Sequence, residues 1–362
     1  MPHSCRLRGH VFMAIDLFSG CGGLTLGLKQ AGFRVVGAVD NDELAVATYK
    51  RNHRKTMTWN RDIREIDAKA MRLALGLRRG RLDLLAGCPP CQGFSTLRTL
   101  RGKRRIIDKR NDLIFQFLRF VREFQPKVVM IENVPGLAKN VRLENFMRSL
   151  RGMGFSCDVR VLDAAEYLVP QRRRRMVLLA GRKGSVPFAR PMKRRITVRD
   201  AIGELSRPTE SSDPLHKVMA QHSGYIRALI RRVPKDGGSR RSLGNEIQLE
   251  CHRKCDGFVD VYGRMAWDDV SPTITGGCVN PSKGRFLHPT QNRAISLREA
   301  ALLQTFPSRY FFPMHRGRYP VARMIGNALP PTFVRRHGHE IRHYLTAKMR
   351  SARWENGTNG RD

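Results

Sequence analysis

The sequence predicts an α/β fold, a parallel sheet with helices on both faces, joined to a smaller irregular region. Three observations carry this. From Phe12 to Arg182, apolar runs of strand length alternate with segments whose apolar residues recur at helical spacing. A glycine-rich turn, Ser19–Gly23, joins the first strand to the first helix. From about Gly184 to Thr290 the rhythm is lost, and Gly, Pro, Ser and Arg dominate.

Taken in order, "FMAIDLF" (12–18) reads as a buried strand, and "LTLGLKQAGF" (24–33) as the helix after the glycine turn. "VVGAVD" (35–40) is a second strand, followed by the helix "ELAVATYKRN" (43–52). "LDLLAG" (82–87) is a further strand. "DLIFQFLRFVREF" (112–124) is a helix by its apolar spacing, and "KVVMIENV" (127–134) is the strand behind it. "SCDVRVLDA" and "RRMVLLAG" read as two later strands, paired as a hairpin. Regular structure resumes at "SLREAALLQTF" (296–306), where Ser296 and Glu299 have the spacing of a capping box. A last helix is expected after "GNALPP". The expected domains are a flexible 1–11, a catalytic part 12–184, an irregular part 185–290, a return 291–346, and a disordered tail 347–362.

The charge is extreme. Sixty-seven Lys and Arg face 31 Asp and Glu, a balance of +36 spread along the whole chain. Arginine grips phosphate bidentately, so the excess points to a polyanion, with nucleic acid the first choice; solvated surface is the plainer reading. If phosphate contacts explain the charge, affinity for non-specific duplex must fall steeply with salt. A salt titration in which DNA affinity barely changes would contradict that expectation. No run of about 18 apolar residues exists, so no membrane span is expected. No signal peptide is read at the N-terminus, and the eight cysteines are expected to be reduced thiols.

The glycine turn aims backbone N–H groups and a helix N-terminus at a ligand. Asp40 ends the next strand, the usual place for an acid that takes ribose hydroxyls. The third glycine of a dinucleotide fingerprint is missing, because Thr25 stands there, and Asp16 would repel a pyrophosphate. A nucleoside cofactor with a cationic centre fits better, which points to S-adenosylmethionine. In "GCPPCQGFS" (87–95), Cys88 and Cys91 could be a redox pair, half of a zinc site, or a nucleophile beside a bystander. Cys91 follows a strand end and two stiffening prolines, amid arginines that lower a thiol pKa. Glu132 ends another strand and opens on the same crevice, where a carboxyl can pass a proton to a ring nitrogen. Arg173 and Arg175, two apart in an extended segment, share a face.

Six blocks in order resemble the cytosine-5 DNA methyltransferase family: "DLFSGCGGLTLGLKQAGF", "GCPPCQGFS", "IENVPG", "QRRRR", "RAISLREAALLQTFP" and "IGNALPP". The resemblance implies a Rossmann-like, S-adenosylmethionine-dependent methyltransferase sheet, with residues 185–290 as a target-recognition domain. It implies that Cys91 adds to C6 of a cytosine, that Glu132 bonds and protonates N3, and that Arg173 holds O2 with Arg175 in support. Asp16, Phe18, Ser19, Gly20, Cys21, Gly22 and Gly23 would line the cofactor, and Asp40 and Asn41 would take its ribose. Asp62 and Ile63 would contact adenine, and Pro90, Leu113, Asn327 and Ala328 would complete the pocket. Gln92, Ser95, Arg98 and Arg101 would meet DNA in a closing loop, because the family flips its base out of the duplex. Double-stranded DNA is the expected partner and a monomer the expected state. A cognate restriction endonuclease, where one exists, is not physically required. No metal is expected, although "HEIRH" (339–343) matches a zinc pattern and Cys251 and Cys255 could join the first pair. An RNA-directed relative, or a DNA-binding protein with a dead site, are the alternatives.

Overall fold

The computed structural model describes residues 10–90, 113–244 and 260–358. The first five strands are β1 (Met13–Leu17), β2 (Arg34–Asp40), β3 (Met57–Asn60), β4 (Leu84–Gly87) and β5 (Val128–Asn133). Their helices are α1 (Gly23–Gln30), α2 (Glu43–Asn52), α3 (Ala68–Ala74) and α4 (Leu113–Phe124). Helix α5 (Val141–Gly152) leads to β6 (Ser156–Asp163) and β7 (Arg174–Gly181). The seven strands form one sheet in the order β3-β2-β1-β4-β5-β7-β6.

The sheet is mixed: the βαβ series gives the expected parallel part, and β6 and β7 form the expected hairpin. β1 to β5 pair in parallel, but β7 runs antiparallel to both β5 and β6. The cause is the connection between β6 and β7, which spans only residues 164–173. A parallel crossover needs a dozen or more residues, so the chain turns back as a long hairpin. The pairing Asn133↔Met176 then sets the start of β7 beside the end of β5. This reversal delivers the "QRRRR" arginines to the edge where Glu132 ends its strand.

Strand alternation builds two cores. Ile15, Leu17, Leu85, Val129, Ile131, Met176 and Leu178 face α3, α4 and α5. Ala14, Leu84, Ala86, Val128, Met130, Val177 and Leu179 face α1 and the C-terminal helix. Every second residue thus belongs to the opposite layer, as a sheet covered on both faces requires.

Among its described residues the irregular part holds three short α-helices, α6 (Val198–Ile202), α7 (Pro214–Lys217) and α8 (Gly224–Arg232). Three more follow: α9 (Leu297–Leu303), α10 (Arg318–Asn327) and α11 (Pro331–Thr358). Helix α11 continues past residue 347, where a disordered tail was expected. The Ser296 and Glu299 capping box of α9 is present. A third core joins residues of 198–286 to α9, α10 and the start of α2. The irregular part is therefore packed on the sheet domain and not tethered to it.

One arginine organises this part. Arg264 is fully buried, and its guanidinium donates to five oxygens. They are Val233 O at 3.0 Å, His288 O at 3.0 Å, Gln291 O at 2.6 Å, Ile230 O at 2.7 Å and Asn292 Oδ1 at 2.7 Å. The end of α8 and the 288–292 loop hang on one side chain. Arg264→Ala leaves several of these oxygens without donors, each lost pairing costing about 1–3 kcal/mol. We expect a loss of about 3 kcal/mol or more in a urea melt. A loss below about 1 kcal/mol would show that water or relaxation replaces the bonds.

Candidate active site

Strand order reverses direction between β1 and β4, and in open α/β sheets ligands bind outside the strand ends at that point. A cavity of about 990 Å³ lies there. Phe18, Ser19, Gly20, Cys21 and Gly23 line it from the turn after β1, with Asp40 and Asn41 after β2 and Asp62 and Ile63 after β3. Pro90 after β4 and Leu113 on α4 add to the wall. Glu132, Arg173 and Arg175 form one end, and Asn327 and Ala328 close it. Sequence reasoning missed Cys88, Thr275, Gly276 and Arg323, which also line the cavity. Arg323 pairs with Asp42 at 3.4 Å.

The glycine turn is held from behind. Gly20 N–H donates to Asp40 Oδ2 at 2.8 Å, and Asp42 N–H donates to Asp40 Oδ1 at 2.9 Å. Asp40 thus ties the turn to the next strand; burial raises its pKa. Gly22 does not line the cavity. It has φ 98°, and a Cβ there would lie 2.5 Å from His53 Nε2 and 2.8 Å from Tyr310 Oη. Glycine at 22 serves close packing and a left-handed turn. Tyr310 Oη–H donates to Cys21 O at 2.5 Å, and His53 Nε2 sits 3.0 Å from Tyr310 Oη and 3.3 Å from Gly22 O. Burial first, and then the Lys29 charge, lowers the His53 pKa to about 3, so the ring is neutral. With Lys29 Nζ at 3.3 Å from Nδ1, the proton belongs on Nε2, which faces both oxygens.

Asp16 also stands off the cavity wall. It is fully buried, and Thr25 Oγ1 donates to its Oδ2 at 2.7 Å. Burial, with a smaller push from Asp40, raises its pKa to about 7 against the bond from Thr25. A side chain behind the turn, neutralised in part, is a poor counter-ion for a sulfonium. The expectation that Asp16 lines the cofactor pocket is corrected: its place is under the turn, because the β1 pleat aims it toward α1.

At the other end, Glu132 Oε1 pairs with Arg175 Nε at 2.8 Å, both largely buried. Asn133 Nδ2 donates to Pro89 O at 2.8 Å, which fixes the chain after β4 against β5. The two arginines are held differently. Arg173 gives Nη1 to Ile274 O at 3.0 Å and Nη2 to Gly326 O at 3.1 Å. Burial, and then the Arg175 charge, lowers its pKa to about 9, still cationic at neutral pH. Arg173 is a strut between segments, and Arg175 is the cation beside the acid. Register puts Cys88 next to Glu132, since Gly87 pairs with Ile131. Burial, followed by the Glu132 charge, pushes the Cys88 pKa well up, so it is a protonated thiol. Cys88, the bystander beside a nucleophile in one reading of the pair, lines the cavity.

Cys91, Gln92, Ser95, Arg98 and Arg101 lie outside the described residues, as do Cys251 and Cys255. Among the described residues no group of three or more His, Cys, Asp or Glu could hold a metal ion.

The family model for C-5 cytosine-specific DNA methylase matches residues 12–343. The Type II methylase M.HgiDII of Herpetosiphon aurantiacus is 37% identical over 345 residues, covering 91% of this chain and 95% of its own. The Type II methyltransferase M.XorII of Xanthomonas oryzae pv. oryzae is 32% identical, covering 93% and 86%. A crystal structure of a putative DNA modification methyltransferase encoded within an E. coli prophage superposes with TM-score 0.73 at 23% identity, covering 92% and 99%. That likeness concerns the fold alone and makes it an α/β methyltransferase fold. With a family match across the chain and relatives above 30% identity over nearly all of it, the protein belongs to the C-5 cytosine-specific DNA methylase family and is a DNA (cytosine-5) methyltransferase.

Proposed function

We propose that this enzyme moves a methyl group from S-adenosylmethionine to C5 of a flipped-out cytosine in a specific duplex DNA sequence, through a covalent bond from Cys91 to C6. The observation that carries the reading is the meeting of Glu132, Arg175 and Pro90 with the glycine turn on one cavity. The residues of that cavity fit the cofactor. Ser19 Oγ is buried without a protein partner, and a Cβ at Gly20 would meet nothing within 4 Å, so the turn offers a hydroxyl and an open cradle. Asp40 faces the ribose position, Asp62 and Ile63 the adenine, and Leu113, Asn327 and Ala328 the opposite wall. When bound, S-adenosylmethionine supplies an electrophilic methyl on a sulfonium.

Glu132 hydrogen-bonds N3 of the base and, as general acid, delivers a proton there while C6 is attacked. Arg175 is the cation at that same edge and holds developing charge at the ring oxygen. Arg173 keeps the recognition segment and α10 in place around it. The Cys91 thiolate forms the S–C6 bond, and the ring electrons move to C5, which takes the methyl. Loss of the C5 proton returns the S–C6 pair to sulfur and restores the ring. Because C5 is hidden in a duplex, the base leaves the stack, and residues 185–290 read the target. Among the described residues no helix is long and apolar enough to cross a membrane. Action on DNA in the bacterial cytoplasm, as a monomer, is part of the proposal. So is a place in a restriction–modification system or as an orphan methylase.

Labelled methyl incorporation into duplex DNA and tRNA, with bisulfite sequencing of DNA from an expressing host, tests the proposal. The expected result is 5-methylcytosine at one recurrent DNA sequence and none in tRNA. DNA without 5-methylcytosine would overturn it.

A further inference from the structure

We propose that Gln304 is a positioning residue that holds the Asn327–Ala328 wall of the cofactor cavity and ties it to the recognition segment. The inference rests on the reading of that cavity as the S-adenosylmethionine site. Gln304 is fully buried, on the turn after α9. Its Nε2 donates to Ile325 O at 2.6 Å and to Ala328 O at 3.1 Å. The last carbonyls of a helix lack partners within it, so this amide is a side-chain cap for α10. Its Oε1 accepts from Gln171 Nε2 at 2.7 Å. Gln171 Oε1 in turn accepts from Ile274 N–H at 2.9 Å. Arg173 completes the arrangement by holding Ile274 O and Gly326 O. Both polar backbone groups of Ile274 are therefore fixed, one by Gln171 and one by Arg173.

The amide orientation is determined. Turning Gln304 over would set its NH₂ against the Gln171 NH₂ and an oxygen against two carbonyls. The backbones also touch here. A Cβ on Gly326 would lie 2.2 Å from the Thr275 carbonyl carbon, so α10 and the segment Ile274–Gly276 press together without side chains between them. Thr275 and Gly276 line the same cavity as Asn327 and Ala328. Two walls of the pocket, one from the recognition part and one from α10, thus share the Gln171–Gln304 pair and Arg173. Neither glutamine touches the cavity itself, so both act through the backbone they hold.

The test measures binding of S-adenosylhomocysteine, an unreactive probe, by calorimetry. Gln304→Met keeps volume and length but removes both donors and the acceptor. The dissociation constant is expected to rise about tenfold, the loss of one buried hydrogen bond at the wall. Arg264→Ala is the comparator, since it lowers stability in a cluster away from the cavity. Its expected dissociation constant matches the unaltered enzyme, even if its melting temperature falls further than that of Gln304→Met. If Gln304→Met binds within twofold of the unaltered enzyme, or only in proportion to lost stability, the proposal is overturned. Should that variant not fold, Gln171→Met breaks the chain of bonds from the other end, with an expected rise of about threefold; no rise overturns the proposal. Failure of the unaltered enzyme to bind the probe would instead refute the cofactor reading.

Discussion

Replacing Cys91 by serine is expected to abolish methyl transfer, with a loss on the order of 10⁴-fold or more. The proposed reaction needs a group that bonds to C6 and later leaves it. A thiolate does both near neutral pH, whereas a serine hydroxyl without a dedicated base stays protonated and attacks poorly. Cys91 follows Pro90, which lines the cavity with Glu132, and Asn133 pins Pro89 just before it. Cys88→Ser is the contrasting variant. Serine is nearly the same size and stays beside Glu132, so activity is expected to fall by no more than about tenfold. DNA carrying 5-fluorocytosine at the target gives a second readout. Fluorine cannot leave C5 as a proton does, so the S–C6 bond persists and the protein migrates with DNA on a denaturing gel. The unaltered enzyme and Cys88→Ser should form that band, and Cys91→Ser should not. A band with Cys91→Ser, or its absence with the unaltered enzyme, would remove Cys91 from the mechanism.

The central strands β1, β4, β5 and β7 were legible because they are buried on both faces and read as apolar runs, whereas β3, four residues long and partly exposed, gave no such signal. The position of Glu132 followed from the same logic: a carboxylate ending such a run can only open at the strand edge. The reversed β7 was half legible. The hairpin with β6 shows in the two adjacent strand patterns, but its insertion beside β5 depends on pairing that no local pattern encodes. Side-chain allocation was the least legible. Gly22 and Asp16 sit in motifs whose spacing suggests ligand contact, yet His53, Tyr310 and Thr25 claim them. Arg173 and Arg175 look equivalent in sequence; Ile274 and Gly326, 101 and 153 residues away, make them different. Cys88 was read as packing, and only the β4–β5 register reveals its carboxylate neighbour. Gln304 stood in a recognised block with no signal of its own, because its partners are backbone carbonyls.

Glu132→Gln is expected to lower the rate of methyl transfer by about 10²- to 10⁴-fold, the range for a lost general acid. The amide is isosteric and can still donate from nitrogen, so it holds the base. It cannot protonate N3, and without that proton the ring accepts a thiolate poorly. The substitution also dissolves the ion pair with Arg175 at 2.8 Å. Arg175 then faces an uncharged partner in a largely buried site, an arrangement that costs stability as well as rate. Two measurements separate these effects. S-adenosylhomocysteine affinity reports the proposed cofactor end of the cavity and should stay within about threefold, because in the proposed mechanism Glu132 meets the base and not the adenosyl group. Single-turnover methyl transfer reports chemistry and should carry nearly all of the loss. The covalent band on 5-fluorocytosine DNA should form, but far more slowly than with the unaltered enzyme, since N3 protonation assists the attack itself. A Glu132→Gln enzyme with an unaltered single-turnover rate would mean that the proton reaches N3 by another route. Arg175 beside an idle carboxylate would then be a structural pair only.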